Sequence, residues 1–362
     1  MNCIHSLSRL PIPGDIFIQT LKLYYQMGRN EEYERLFGPN DEVIGQQVAG
    51  ADAMAFFRLF FAEYKVPESR LRTLQLSSTV AKNKGETQYK NIVTIFQMIH
   101  SRSAQPFHLN VTEVNDLVKL LFAGVYPADK FQYRKIDNKK KTLISQEGSS
   151  LREQLETLIE LTGEGKKHGN YEPLFLHLNF MVDFLNMEIY RYLPGDVIAV
   201  LVYYLLSMQD GMISFNYLSF FNKLLLNKDE FKAALEKTRF GWSEGYSEIM
   251  PLERFYLRIY HELYIDLQEY ARDYDYEKNL EISKSDYIEN TIDKLPEVFQ
   301  KEDIRTRHPF ISDSTINRTL SRMQSENKIR PLGKGRSAKW VKLYKKETGK
   351  FKGKQLTFDL EE

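Results

Sequence analysis

Apolar residues recur at helical spacing from about residue 15 to residue 274, and this constrains the fold more than any motif does. Segment 51–64 (ADAMAFFRLFFAEY) is the most aromatic instance. Segments 15–27, 90–101, 112–124, 150–161, 173–189, 196–208, 214–226 and 229–237 repeat the pattern, and Pro251 opens a long helix reaching about residue 274. Gly28 closes the first of these. Asn110 or Thr112 caps the helix at 112–124, with Glu113 in its first turn. No alternating apolar and polar run precedes residue 329, so a sheet is not expected to build this part. The body is expected to be mainly α.

The pattern changes near the C-terminal end. Ser312 is placed to cap a helix, and Ile316, Leu320 and Met323 follow at the i, i+4, i+7 spacing of one apolar face. Residues 329–332 read as a strand, 333–336 as a tight turn and 338–344 as a returning strand, while 285–295 and 301–307 supply two earlier helices. A short helix followed by a basic hairpin resembles the recognition helix and wing of a winged helix-turn-helix. That resemblance implies that Ser314, Thr315, Asn317, Arg318, Ser321 and Arg322 face duplex DNA, with Lys334 and Arg336 of the wing on phosphate or in the minor groove. Charge points the same way. Between Lys301 and Lys354 there are sixteen Lys and Arg against five Asp and Glu, while the remainder holds 34 against 44. Cations gathered on one module release counterions when they neutralise phosphates, so double-stranded DNA is the expected partner.

A chain of 362 residues fits two or three domains. Its single cysteine, Cys3, excludes a disulfide framework and a thiolate metal site, which suits a reducing cytoplasm. The first residues lack the apolar core of a signal peptide, and the longest apolar run, 197–206, is about half of what spans a bilayer. The expected protein is cytoplasmic and has no membrane partner. Residues 273–281 (DYDYEKNLE) read as a linker, and 135–148 as a lysine-rich loop. The expected order is a helical N-terminal region (1–110), a helical core (111–274), a linker (275–282), the winged module (283–345) and a flexible tail (346–362).

No catalytic constellation emerges from spacing. The seven histidines pair with no other His or Cys at metal-ligand spacing, and His261-Glu262 lacks the second histidine of a zinc helix. His177 and His261 read as ordinary helix residues. Walker-type loops, G-x-S-x-G and G-x-G-x-x-G are all missing. Glu153, Glu156 and Glu160 lie on what reads as a solvated helix face. No catalytic residue, metal or cofactor is expected.

Three segments nevertheless resemble the Fic family, whose members transfer AMP from ATP to hydroxyl side chains. Residues 170–186 (NYEPLFLHLNFMVDFLN) are similar to the stretch leading into the family's core, and 198–235 to the helices that follow it. Residues 114–136, with the pair Tyr133-Arg134, are similar to the region before the core loop. The family's defining motif, H-P-F-x-[DE]-G-N-G-R, should fall within 187–197. Here that interval reads MEIYRYLPGDV and retains only Arg191, Gly195 and Asp196 as a degenerate core loop. It has no histidine to serve as general base. The family's inhibitory helix motif is matched best by residues 78–83 (STVAKN), with Lys82 where a glutamate belongs. His308-Pro309-Phe310 imitates the catalytic motif, but its spacing is wrong and it reads as a helix entry.

The reading is therefore a catalytically degenerate, Fic-like helical protein that binds DNA through its C-terminal module, with a body that senses a ligand or holds a homodimer. The alternative is a divergent Fic-type enzyme transferring AMP or another nucleotide to a protein hydroxyl, using residues around Arg191 to Asp196. A third is a protein-binding adaptor whose interface is built from the aromatic helices 51–64 and 214–226.

Overall fold

The computed structural model describes residues 2–76, 78–101, 103–135, 150–279, 284–308, 311–333 and 338–343. The chain divides into two compact units between Asp273 and Tyr274.

The first unit is helical: α1 (Asn2–Ser6), α2 (Gly14–Met27), α3 (Asn30–Phe37), α4 (Asp41–Phe60), α5 (Glu68–Leu74), α6 (Lys84–Ile99), α7 (Val111–Phe122), α8 (Leu151–His168), α9 (Pro173–Asn186), α10 (Gly195–Gln209), α11 (Ser214–Tyr217), α12 (Phe220–Leu226), α13 (Lys228–Lys237) and α14 (Met250–Asn279), whose residues from Tyr274 onward are counted with the second unit. Side chains fix several of the starts. Asn83 accepts from the Glu86 amide to open α6, and Asn110 from the Glu113 amide to open α7. Ser150 and Glu153 form a capping box on α8, and Glu172 accepts two amides ahead of Pro173 in α9.

Helix α4 packs against α6 and α12, and α9 against α8 and α10. Small residues make the first contact close: a Cβ added at Gly45 would stand 2.9 Å from the His100 carbonyl oxygen at the end of α6. Aromatic rings fill the space between α4, α6, α10 and α12. Phe56 meets Phe96 at 5.6 Å and Phe221 at 4.9 Å, and Tyr204 stacks on Phe215 at 5.1 Å. Within this apolar mass Asp52 of α4 accepts from Ser219 Oγ (2.5 Å), the Phe221 amide (2.9 Å) and Tyr204 Oη (3.2 Å), which ties α4 to α10 and to the start of α12.

The second unit contains α15 (Lys284–Lys294), β1 (Val298–Gln300), α16 (Lys301–Arg307), α17 (Asp313–Ser325), β2 (Ile329–Pro331) and β3 (Lys339–Lys342). Its antiparallel sheet has the order β1-β3-β2, with Phe299 opposite Trp340 and Arg330 opposite Val341. Ile288, Ile292, Ile304, Ile316, Leu320 and Met323 converge with Phe299, Ile329 and Trp340 in its core. Helix α17 is long enough to bury one stripe and leave the opposite face in water.

Several expectations need correction. The aromatic helices proposed as an adaptor surface are core: Phe56, Phe57, Phe215, Phe220 and Phe221 are all buried. Segment 214–226 is broken at Leu218, and Ser219 caps the second piece. Helix α4 starts ten residues before the expected position, since packing against α6 overrides the weak helix preference of Gly45 and Gly50. Helix α14 continues to Asn279, through most of the expected linker. Strand β1 precedes the hairpin and has no counterpart in the sequence pattern, because three residues are too few to show an alternation. Residues 78–83 are not helical; they lead into α6, where the Lys82 amide donates to Glu86 at 2.8 Å. Residues 136–149, Lys334, Arg336 and the tail beyond 343 lie outside the described residues. No described helix is long and apolar enough to cross a membrane.

Candidate functional site

Within the second unit, Ser312 caps α17 by accepting from the Thr315 amide at 3.3 Å. The helix buries Ile316, Thr319, Leu320 and Met323 and exposes Ser314, Asn317, Arg318, Ser321 and Arg322, with Thr315 half-buried. The exposed positions are not equivalent. Arg322 donates to Glu289 and to Ser285 Oγ (3.0 Å) on α15, and lies 3.7 Å from Glu326. Lys328 joins the same carboxylates, at 3.2 Å from Glu289 and 2.7 Å from Glu326. Arg322 thus clamps α17 to α15, although sequence spacing sets it beside Arg318 as a reader. Asn317 accepts from Lys301 Nζ, and Asp313 is held by Arg305 at 2.5 and 2.6 Å. Arg318 makes no ion pair among the described residues. His308, the first residue of the false catalytic motif, is buried against Thr291.

The first unit presents a different site. The loop between α9 and α10 borders a cleft of about 240 Å³ lined by Arg134, Glu188, Arg191, Asp196 and Arg239, with Leu185, Tyr190, Leu193 and Gly195. A short antiparallel bridge builds one wall. Tyr133 pairs with Tyr190, the Arg134 amide donates to Ile189 O (2.8 Å), and the Arg191 amide donates to Gln132 O (3.2 Å). The two tyrosine rings stack at 5.5 Å, and both hydroxyls donate to Asn115 Oδ1 at 2.9 Å. The Arg134 guanidinium donates to the carbonyls of Glu188 (3.1 Å) and Met187 (3.0 Å), which neutralises the open C-terminal end of α9. Glu188 itself has φ +47°, a conformation that strains a residue with a Cβ.

The cleft is also lined by the start of α10, which begins at Gly195 behind Pro194 with no side chain capping it. Arg239 lies 3.3 Å from Glu236 and 4.0 Å from Glu188, half-exposed in each case. Arg191 stacks over Tyr192 at 4.9 Å, and Lys130 lies over the same phenol ring at 4.1 Å. Three guanidinium groups against two carboxylates leave the cleft net positive, and guanidinium forks suit an anion. Neither carboxylate is buried as a general base would be, and among the described residues no histidine lines the cleft.

All three loop residues singled out from the sequence, Arg191, Gly195 and Asp196, line this cleft, and Arg134 joins them through the bridge. Arg239 has no such signal; it follows α13, and no local pattern marks it. Gly195 has no steric need to be glycine, since an added Cβ would meet only Leu185 O at 4.0 Å. His177 is fully buried against Asp210, which also binds Lys166 at 3.0 Å. Among the described residues no group of three or more His, Cys, Asp or Glu side chains gathers as metal ligands.

No family model matches this chain, and no curated protein matches it. Among solved structures it is similar to a crystal structure of a Fic family protein from Desulfovibrio desulfuricans G20. The identity is 10%, the overlap covers 93% of this chain and 98% of that one, and the TM-score is 0.46.

Proposed function

We propose that this protein is a DNA-binding regulator that reads duplex DNA with α17 of a winged-helix unit. The observation that carries the reading is the exposed Arg318 on the solvent face of α17, uncommitted to any carboxylate among the described residues while its neighbour Arg322 is clamped. Three helices around a three-stranded sheet of order β1-β3-β2 are what a winged helix requires. In that arrangement the third helix enters the major groove and the hairpin flanks it. Lys334 and Arg336 complete the proposal as the wing's phosphate contacts.

The body supports a second, compatible role. We read it as a Fic-like scaffold whose loop has lost the transfer chemistry and kept an anion cleft around Arg134, Arg191 and Arg239. A nucleotide transfer needs a base on the target hydroxyl, and the interval 187–197 offers no histidine. An anionic ligand held there would act as an effector.

Fluorescence anisotropy on mixed genomic duplexes at low and moderate salt tests the first reading. Salt-sensitive binding weakened by Arg318→Ala is the expected result; absence of binding by the parent chain at low salt would end the DNA reading and leave the cleft as the place to search.

A further inference from the structure

Helix α2 has two apolar faces, of which one is buried and the other exposed. Ile16 and Leu23 are buried, with Thr20, Gln26 and Met27 half-buried beside them. On the opposite arc Phe17 is 56% exposed, Ile18 48%, Leu21 52% and Tyr25 85%. At 100° per residue these four positions span a single stripe, about a third of the helix circumference, turned away from the buried face. Polar bonds fix the helix in this orientation: Asp15 pairs with Arg254 at 2.6 Å, and His261 lies 2.7 Å from Gln26 Oε1. Rotating the stripe into the core would break both.

Together the four side chains expose on the order of 500 Å² of largely apolar surface, more than scattered single residues on a monomer's surface require. Two such stripes facing each other would bury roughly 1,000 Å², which is the lower limit of a specific protein interface. The spacing selects the occupant. Phe17, Leu21 and Tyr25 stand four residues apart, symmetric about Leu21. In an antiparallel pair about a two-fold axis at Leu21, Phe17 of each copy meets Tyr25 of the other, and the i±4 ridges interlock. One surface then satisfies both copies.

We propose that the chain is a homodimer joined by antiparallel contact of two α2 helices, with Leu21 on the axis. The interface lies in the first unit and does not depend on DNA binding.

The test is sedimentation velocity of the full chain at micromolar concentrations, parent beside Leu21→Lys. The parent should sediment as a dimer, and Leu21→Lys should raise the dimer dissociation constant at least roughly tenfold. The side chain is half-exposed, so the thermal melting of the Leu21→Lys monomer should match that of the parent diluted to monomer. A cross-link fixes the geometry. Cys3 is buried, so in mild oxidant Leu21→Cys should form a disulfide-linked dimer while Gln19→Cys, exposed but off the stripe, should not. A monomeric parent would overturn the proposal. So would a dimer indifferent to Leu21→Lys, or equal cross-linking at both positions.

Discussion

The hydroxyl of Tyr204 stands between a buried base and a buried acid, 3.0 Å from His100 Nε2 and 3.2 Å from Asp52 Oδ2. Burial pushes Asp52 up to about 7, with its bonds from Ser219, Phe221 and Tyr204 pulling the other way, and burial pushes His100 down to about 4. Both groups are therefore uncharged over a range in which the unfolded chain would charge them.

This gives a pH signature. The Asp52 carboxyl stays protonated in the folded protein to about pH 7, whereas an unfolded aspartate ionises near 3.8, so its contribution is fully present at acid pH and is lost as pH rises through that window. His100 acts in reverse, with stability lost as pH falls from 6.5 toward 4. Asp52→Asn keeps the acceptor for Ser219 and cannot ionise. Its gain over the parent should be on the order of 2 kcal/mol larger at pH 8 than at pH 5 by urea denaturation. An unchanged difference between the two pH values would remove Asp52 from the account.

The two arginines of α17 should separate cleanly. Arg318→Ala is expected to weaken duplex binding by about 1–3 kcal/mol and leave melting of the chain unchanged. Arg322→Ala should lower the stability of the second unit, because Glu289 loses its closest partner. Melting curves alongside anisotropy distinguish the two; an exchange of these phenotypes would reverse the assignment of reader and clamp.

The anion binding proposed for the cleft can be tested with a simple anion as the probe. Inorganic pyrophosphate at ten times its dissociation constant should stabilise the parent by about 1.4 kcal/mol. Arg191→Ala combined with Arg239→Ala should abolish the shift. A shift of equal size in the double variant would place the anion elsewhere.

Two glycines test the packing directly. A Cβ at Gly85 would come within 2.7 Å of the Tyr64 Cβ, so Gly85→Ala should destabilise the first unit by about 1–3 kcal/mol. Gly163, inside α8 with open space around it, should accept alanine with a gain of roughly 0.5–1 kcal/mol. Chemical denaturation of both variants checks the opposite signs.

Local rules are legible in this chain and assembled surfaces are not. Asn110 stands three residues before Glu113, and Ser312 three before Thr315, so spacing alone marks both caps. The mainly helical body and the apolar face of α17 follow from periodicity. The cleft does not, since Arg239 reaches Arg134 and Arg191 only through the packing of distant helices. Periodicity likewise marks α2 as amphipathic without saying which of its two apolar arcs faces inward. Arg322 and Arg318 have the same local surroundings in sequence, and only the approach of Glu289 tells them apart.

The central strand of the second unit is the last to be made. Strand β3 pairs with β1 on one side and β2 on the other, while β1 and β2 do not touch each other. During synthesis, β1 and the three helices would emerge with a sheet that has no middle. Trp340, which packs in the core opposite Phe299, arrives with that strand. Closure of this unit must therefore wait until Lys339–Lys342 clears the ribosome, and a chain released short of it would expose two unpaired strand edges and an open core to proteolysis and aggregation.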